Sequence, residues 1–211
     1  MIRLCFFTKN LINRRMNFLA HLLLTHDDES LLIGNFIGDH VRNHELPQYP
    51  VGVQQGVWLH RRIDTFTDNH PAVRECLKLL RASHGKYAGV VWDVLSDALL
   101  SHNWDRFHDA SLEVFTARMY EVLERNLHHI PEALRKRVPL MIADNWLMKY
   151  AREEGIEFTF SRLQLRASQP EWLNGTTESL RLHYAALEEG FLQFFPELMT
   201  HIATLRSEMK A

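Results

Sequence analysis

The chain lacks most features that shortcut a functional reading. Two cysteines, Cys5 and Cys76, stand apart in 211 residues with no C-x-x-C pair. That excludes a disulfide scaffold and a thiolate zinc site, and makes a reducing, cytoplasmic setting the simpler expectation. No apolar run approaches the ~18 to 20 residues of a membrane span, because His, Arg and Asp interrupt each one. Neither charge sign dominates: 24 Lys+Arg against 26 Asp+Glu leave a net charge of −2, which gives no global reason to expect nucleic acid as the partner. G-x-S-x-G, Walker A, G-x-G-x-x-G and H-E-x-x-H patterns are all missing. So are internal repeats and linker-like stretches.

What is present is an ordinary globular composition, 46% hydrophobic and 24% charged, in a chain long enough to bury a core without cross-links. The number out of line is 13 histidines. Residues 1–15 mix a short apolar run with four basic residues and offer no small-residue cleavage site. They are expected to be a weakly ordered extension rather than a signal peptide, with the domain proper running over residues 16–211.

From Met16 onward the pattern predicts helix. Phe18, Leu19, Leu22 and Leu23 suit one face of a short first helix, and Ser30 suits the N-cap of a second over Leu31 to Val41. His44 to Pro50 is a loop. Val57 to Phe66 is helical, and Pro71 is placed to open the next helix. Tyr87 to Trp104, Ser111 to Leu127, and Pro131 to Glu153 with a break at Pro139 follow. Apolar residues at 180, 184, 187, 191, 194, 198, 202 and 205 step by three and four, the helical signature. Pro196 is expected to divide that stretch. Ile156 to Phe160 is the one β-like run, and Gly155 before it resembles a helix stop. The fold class is all-α, one helical bundle.

Polar residues on apolar helices carry the chemistry. His60, Asp64 and Asp68 recur every four residues, on a stripe drifting roughly 40° per step. Asp93 and Asp97 form a second such pair, among Val90, Val91, Val94 and Leu95, where a carboxylate is costly unless paired or metal-bound. Asp39 follows Gly34 and Gly38, and His21 interrupts the first apolar helix. Each has a plainer reading. Asp64 can pair with Arg61, Asp68 can end its helix, His21 can be a hydrogen-bonded core histidine, and Arg61-Arg62 can be a solvated edge. Taken together, carboxylates and imidazoles without cysteine suit Mn²⁺, Mg²⁺ or Fe²⁺. Such an ion polarises a phosphoryl oxygen and acidifies a bound water.

At this point the order of motifs resembles a known family. Met16-Asn17-Phe18-Leu19-Ala20-His21, Gly34-Asn35-Phe36-Ile37-Gly38-Asp39 and Leu59-His60-Arg61-Arg62-Ile63-Asp64 with Thr67-Asp68 look like the acyl carrier protein phosphodiesterases. The likeness continues through Tyr87-Ala88-Gly89, Asp93-Val94, Asp97, Trp104, Trp146-Leu147 with Tyr150, and Tyr184, Leu187, Phe191, Phe194 and Pro196. The resemblance implies an HD-like, metal-dependent phosphohydrolase. It would hydrolyse the phosphodiester joining 4′-phosphopantetheine to the serine of holo-acyl carrier protein through a metal-activated water, with Mn²⁺ preferred.

Carried over by residue, Asp39, His60, Asp93 and Asp97 would hold metal, and Asp39, His60, Asp64 and Asp97 would serve catalysis. Arg61 and Arg62 would hold phosphate oxygens. A basic rim drawn from Arg42, Arg61, Arg62 or Arg135-Lys136-Arg137 would steer the acidic carrier protein; no nucleic acid or membrane partner is expected. One departure stands out: where the family carries histidine after Asp97, this chain has Ala98. That leaves open a site that tolerates the loss, a substitute in His40 or His102, and a catalytically impaired relative that only binds carrier protein.

Overall fold

A computed structural model describes residues 18–209, so residues 1–15 and the Met16-Asn17 pair lie outside the described residues. Every regular element among the described residues is helical. In chain order these are α1 (Phe18–Leu23), α2 (Glu29–Ile37), α3 (Val51–Asn69), α4 (Pro71–His84), α5 (Ala88–His102) and α6 (Leu112–Arg125). Then come α7 (Glu132–Arg135), α8 (Val138–Ala143), α9 (Trp146–Lys149), α10 (Glu153–Gln164) and α11 (Thr176–Glu208). Short 3₁₀ turns fill several of the joints, among them Gly38–His40 directly after α2.

The middle of the bundle is α5. Nearly all of it is buried, from Ala88 to Leu100, as expected of a helix apolar on every side. It packs against α1, α4, α10 and α11. The 33 residues of α11 span about 50 Å at 1.5 Å per residue and lie along α3, α4 and α5. Its buried residues, including Leu187, Phe191, Phe194, Leu198 and Ile202, follow the helical period read from the sequence.

Several boundaries differ from expectation, each for a local reason. The cap of α2 is Asp28 rather than Ser30, because the Asp28 carboxylate accepts from the N–H groups of both Ser30 and Leu31. That helix ends at Ile37 and tightens into the 3₁₀ turn instead of running to Val41. The expected Val57–Phe66 helix is longer at both ends, and Pro71 opens α4 as anticipated. The 131–153 stretch breaks into α7, α8 and α9, with Pro139 in the first turn of α8.

Ile156–Phe160 is not a strand but part of α10. Ile156 and Phe160 are buried one turn apart while Phe158 between them is 44% exposed; a strand would have put all three on one face. Gly155 lies inside the first turn of that helix and does not end one. A β-carbon there would meet the Lys149 carbonyl oxygen at 2.1 Å. Finally, Pro196 does not divide α11. Its ring is on the exposed side, and buried Phe194, Phe195 and Leu198 hold the helix on both sides of it, outweighing one lost hydrogen bond.

Candidate metal centre

Two glycines set the geometry from which the site grows. At the crossing of α2 and α3, a β-carbon on Gly34 would lie 2.0 Å from the Val53 carbonyl oxygen and one on Gly56 2.3 Å from that of Leu31. Only bare backbone lets these helices approach so closely. The crossing brings Asn35 of α2 against His60 of α3, whose Nδ1 lies 2.8 Å from the Asn35 carbonyl oxygen. One turn on, Gly38 leaves room for the His60 ring, which a β-carbon would strike at 2.2 Å.

Asn35 holds a second histidine as well. Its amide nitrogen donates to the His21 carbonyl oxygen at 2.8 Å and to Thr25 Oγ1 at 3.3 Å, so its Oδ1 faces His21 Nδ1 at 2.6 Å. Both Nδ1 atoms thus meet oxygens that only accept, and in the neutral rings both carry the proton. Each Nε2 is left with its lone pair, the arrangement by which outer contacts prepare histidines to ligate. The two rings stack with centroids 4.3 Å apart.

The Nε2 atoms of His21 and His60 are buried and make no hydrogen bond. Carboxylates face them: Asp64 Oδ1 at 3.5 Å from His21, Asp64 Oδ2 at 3.6 Å and Asp39 Oδ1 at 3.4 Å from His60. Lone pairs converging in a buried space repel unless a cation or a proton stands among them. The ligand atoms of His21, His60 and Asp64 all lie within 4.8 Å of one another, the set of this kind found among the described residues. Two imidazoles and a carboxylate, with a second carboxylate adjacent, fit a divalent ion of hard or borderline character. Protonation shows the same crowding. Burial draws His60 down, but Asp39 and Asp64 outweigh it and hold the ring above the usual histidine range. His21 is held below that range by burial and by the charge of His60.

The sequence-predicted residues therefore divide. His60, Asp64 and Asp39 come together, and His21, read from sequence as a core histidine, joins them. Asp97 does not: its two oxygens accept from the N–H groups of Leu19 and Ala20, each at 3.0 Å. It caps the start of α1 from another helix and so fixes the helix that presents His21. Burial pushes its carboxyl up to about 8, against the pull of those two donors. Asp93 is buried one turn earlier on α5 and is not in the converging set. Asp68 is exposed near the end of α3.

Arg61 donates to the Val41 carbonyl oxygen and to Asn43, tying down the loop after Asp39, and Arg62 lies over the Trp58 ring at 4.8 Å. In the expected rim, Arg42 is exposed, Arg135 donates to the Ile130 carbonyl oxygen and Lys136 pairs with Glu132. His40 sits beside Asp39 in the 3₁₀ turn, His102 is exposed at the end of α5, and Ala98 is closed core at 0% exposure. The sequence signal that could have found His21 was available, a lone imidazole in an apolar helix, but its partner Asn35 lies 14 residues on.

Fold and site together define a class: a helical bundle carrying a buried histidine–carboxylate centre suited to a divalent ion. The comparisons with known proteins narrow it. Residues 16–198 match the family model described as acyl carrier protein phosphodiesterase. The acyl carrier protein phosphodiesterase of Photorhabdus laumondii subsp. laumondii is 34% identical over 185 residues, covering 87% of this chain and 93% of the relative. That of Salmonella dublin is 34% identical over 189 residues, covering 89% and 98%. The chain belongs to the acyl carrier protein phosphodiesterase family. No solved structure matches it, and among the described residues no helix is long and apolar enough to cross a membrane.

Proposed function

We propose that residues 16–211 form one catalytic domain that acts in the cytoplasm. It hydrolyses the phosphodiester between 4′-phosphopantetheine and the serine of holo-acyl carrier protein, releasing apo-protein. The observation that carries this reading is the pair of buried Nε2 lone pairs, His21 and His60, aimed with Asp64 at one point in a chain of this family. His21, His60 and Asp64 would hold the ion, with Mn²⁺ the first choice, in place of the Asp39, His60, Asp93 and Asp97 set that the resemblance implies. A divalent ion there supplies charge to the phosphoryl oxygens and acidifies water.

The protein's own groups do the rest. Asn35 keeps both imidazoles in the ligating tautomer. Asp39, whose side chain is 24% exposed, faces the centre from the solvent side. It would take a proton from the attacking water and return it to the serine oxygen as the phosphorus–oxygen bond breaks, leaving a serine hydroxyl and 4′-phosphopantetheine. Asp97 holds α1, and with it His21, in register. Arg61 keeps the loop carrying Asp39 closed on α3.

The test is the intact mass of holo-acyl carrier protein after incubation with this chain and Mn²⁺, beside an EDTA control. Loss of the phosphopantetheine mass only with metal is expected, and His21→Ala and His60→Ala should each abolish it. An unchanged mass with folded, metal-supplied protein would overturn the reading.

A further inference from the structure

Away from the metal centre, α8, α9 and α10 enclose a cavity of about 360 Å³, within the usual range for small-ligand pockets. Its walls are apolar, with Leu140, Met141, Trp146, Phe158 and Leu163. Leu140 and Phe158 stay 66% and 44% exposed, unusual for large apolar side chains. The polar lining is mostly basic: Arg137, Lys149, Arg162 and Arg166 against the acid Asp144 and the neutral Thr159.

Lys149 Nζ is held 3.8 Å from the centre of the Phe158 ring with its side chain 24% exposed, a cation pinned at the apolar wall. Asp144 Oδ2 lies 3.7 Å from it. Arg162, one turn after Phe158 on α10, and Arg166, just past the end of that helix, both line the cavity and both are exposed. Neither pairs with a carboxylate among the described residues.

We infer that this cavity is a binding site for a single-chain amphiphile with an anionic head. The apolar body would lie between α8 and α10, and the head would sit among Lys149, Arg162 and Arg166. Apolar walls remove the chain from water, and guanidinium forks match carboxylate and phosphate oxygens. The concavity favours a slender ligand over a flat protein surface. Occupancy would also be felt at α1: Trp146 touches Phe18 at 6.2 Å between ring centroids, one turn before His21.

The probes are decanoate and decyl phosphate, each below its micelle concentration, titrated against the full chain by tryptophan fluorescence and calorimetry. Decanol and decyltrimethylammonium serve as neutral and cationic controls. Saturable one-to-one binding of both anions is expected, at least tenfold tighter than either control. The doubly substituted Arg162→Glu, Arg166→Glu chain, changed only at exposed positions, should keep its circular dichroism and melting temperature and lose at least tenfold in affinity. Trp146→Phe should remove the fluorescence response while calorimetry still reports binding. Equal binding of the cationic probe, no saturable binding of either anion, or an unchanged affinity in the charge-reversed chain would overturn the inference. None of these outcomes depends on the proposed reaction.

Discussion

At the scale of single residues, Asn35 does the most with the fewest atoms. It is fully buried, and its side chain and backbone serve two histidines from two other helices. Asn35→Ala removes the acceptor for His21 and the donor to the His21 carbonyl. A loss of about 1–3 kcal/mol in stability is expected for the buried groups left unpaired, with Mn²⁺ affinity reduced about 10- to 100-fold. Calorimetric titration and thermal melts on the same sample separate the two effects. Asp97 supports a pH prediction. Its folded carboxyl keeps its proton up to about 8, well above the ordinary aspartate value of 3.8. Between those limits the folded state binds more protons than the unfolded state. The stability tied to this group is therefore greatest in acid and is lost as pH rises toward 8. Melting temperatures of Asp97→Asn should fall less steeply than those of the parent chain between pH 6 and 9. A parallel pair of curves would show that Asp97 does not titrate there.

Elements meet at backbone distance in this fold, and that is where small changes should do most. Gly56→Ala places a methyl group 2.3 Å from a carbonyl oxygen and 2.7 Å from the Gly34 α-carbon. With backbone on both sides nothing can yield cheaply, so a loss of about 3 kcal/mol or more is expected by denaturant melts. Gly38→Ala is a different case. Its methyl group would lie 2.2 Å from the His60 ring and 2.6 Å from the His60 β-carbon, and ring rotation does not move the β-carbon, so the turn must shift away from α3. That variant should lose stability in denaturant melts and, with the His60 ring displaced, any stabilisation by Mn²⁺. Pro196 works in the other direction. Exposed in a continuous α11, it withholds one backbone donor without contributing burial. Pro196→Ala should therefore raise stability by about 1–3 kcal/mol, read as an increase in melting temperature.

For the whole molecule, the centre joins α1, α2, α3 and the turn after α2, so an ion bound there would couple to folding. A ligand at 100 times its dissociation constant adds about 2.7 kcal/mol to a folded state that alone binds it. Mn²⁺ should raise the melting temperature, EDTA should reverse the shift, and His21→Ala and His60→Ala should not show it. Both histidines must be unprotonated to ligate, so the shift should shrink as pH falls through the histidine range. A shift that persists in the histidine variants would place the ion elsewhere.

The division between what was legible in the chain and what was not follows from the range of each signal. Helical period, Pro71 as a helix opener, and the candidacy of His60, Asp64 and Asp39 rest on neighbours within a few residues, and linear order carries them. Family membership was legible for the same reason, since its motifs are short runs in fixed order. Distances across the chain are another matter. Asp97 and His21 looked alike in sequence, as polar residues in apolar helices. Which one caps a helix and which one faces the centre is settled 77 residues apart by a carboxylate reaching the N–H of Ala20. Pro196 and Ile156–Phe160 misled because local propensity is worth under about 1 kcal/mol for an ordinary residue and about 3 kcal/mol even for proline. Burial of an entire helix face outweighs it. The local chemistry of the centre belongs to the sequence; its convergence on one point belongs to the packing of α1 and α2 on α3, which two glycines permit.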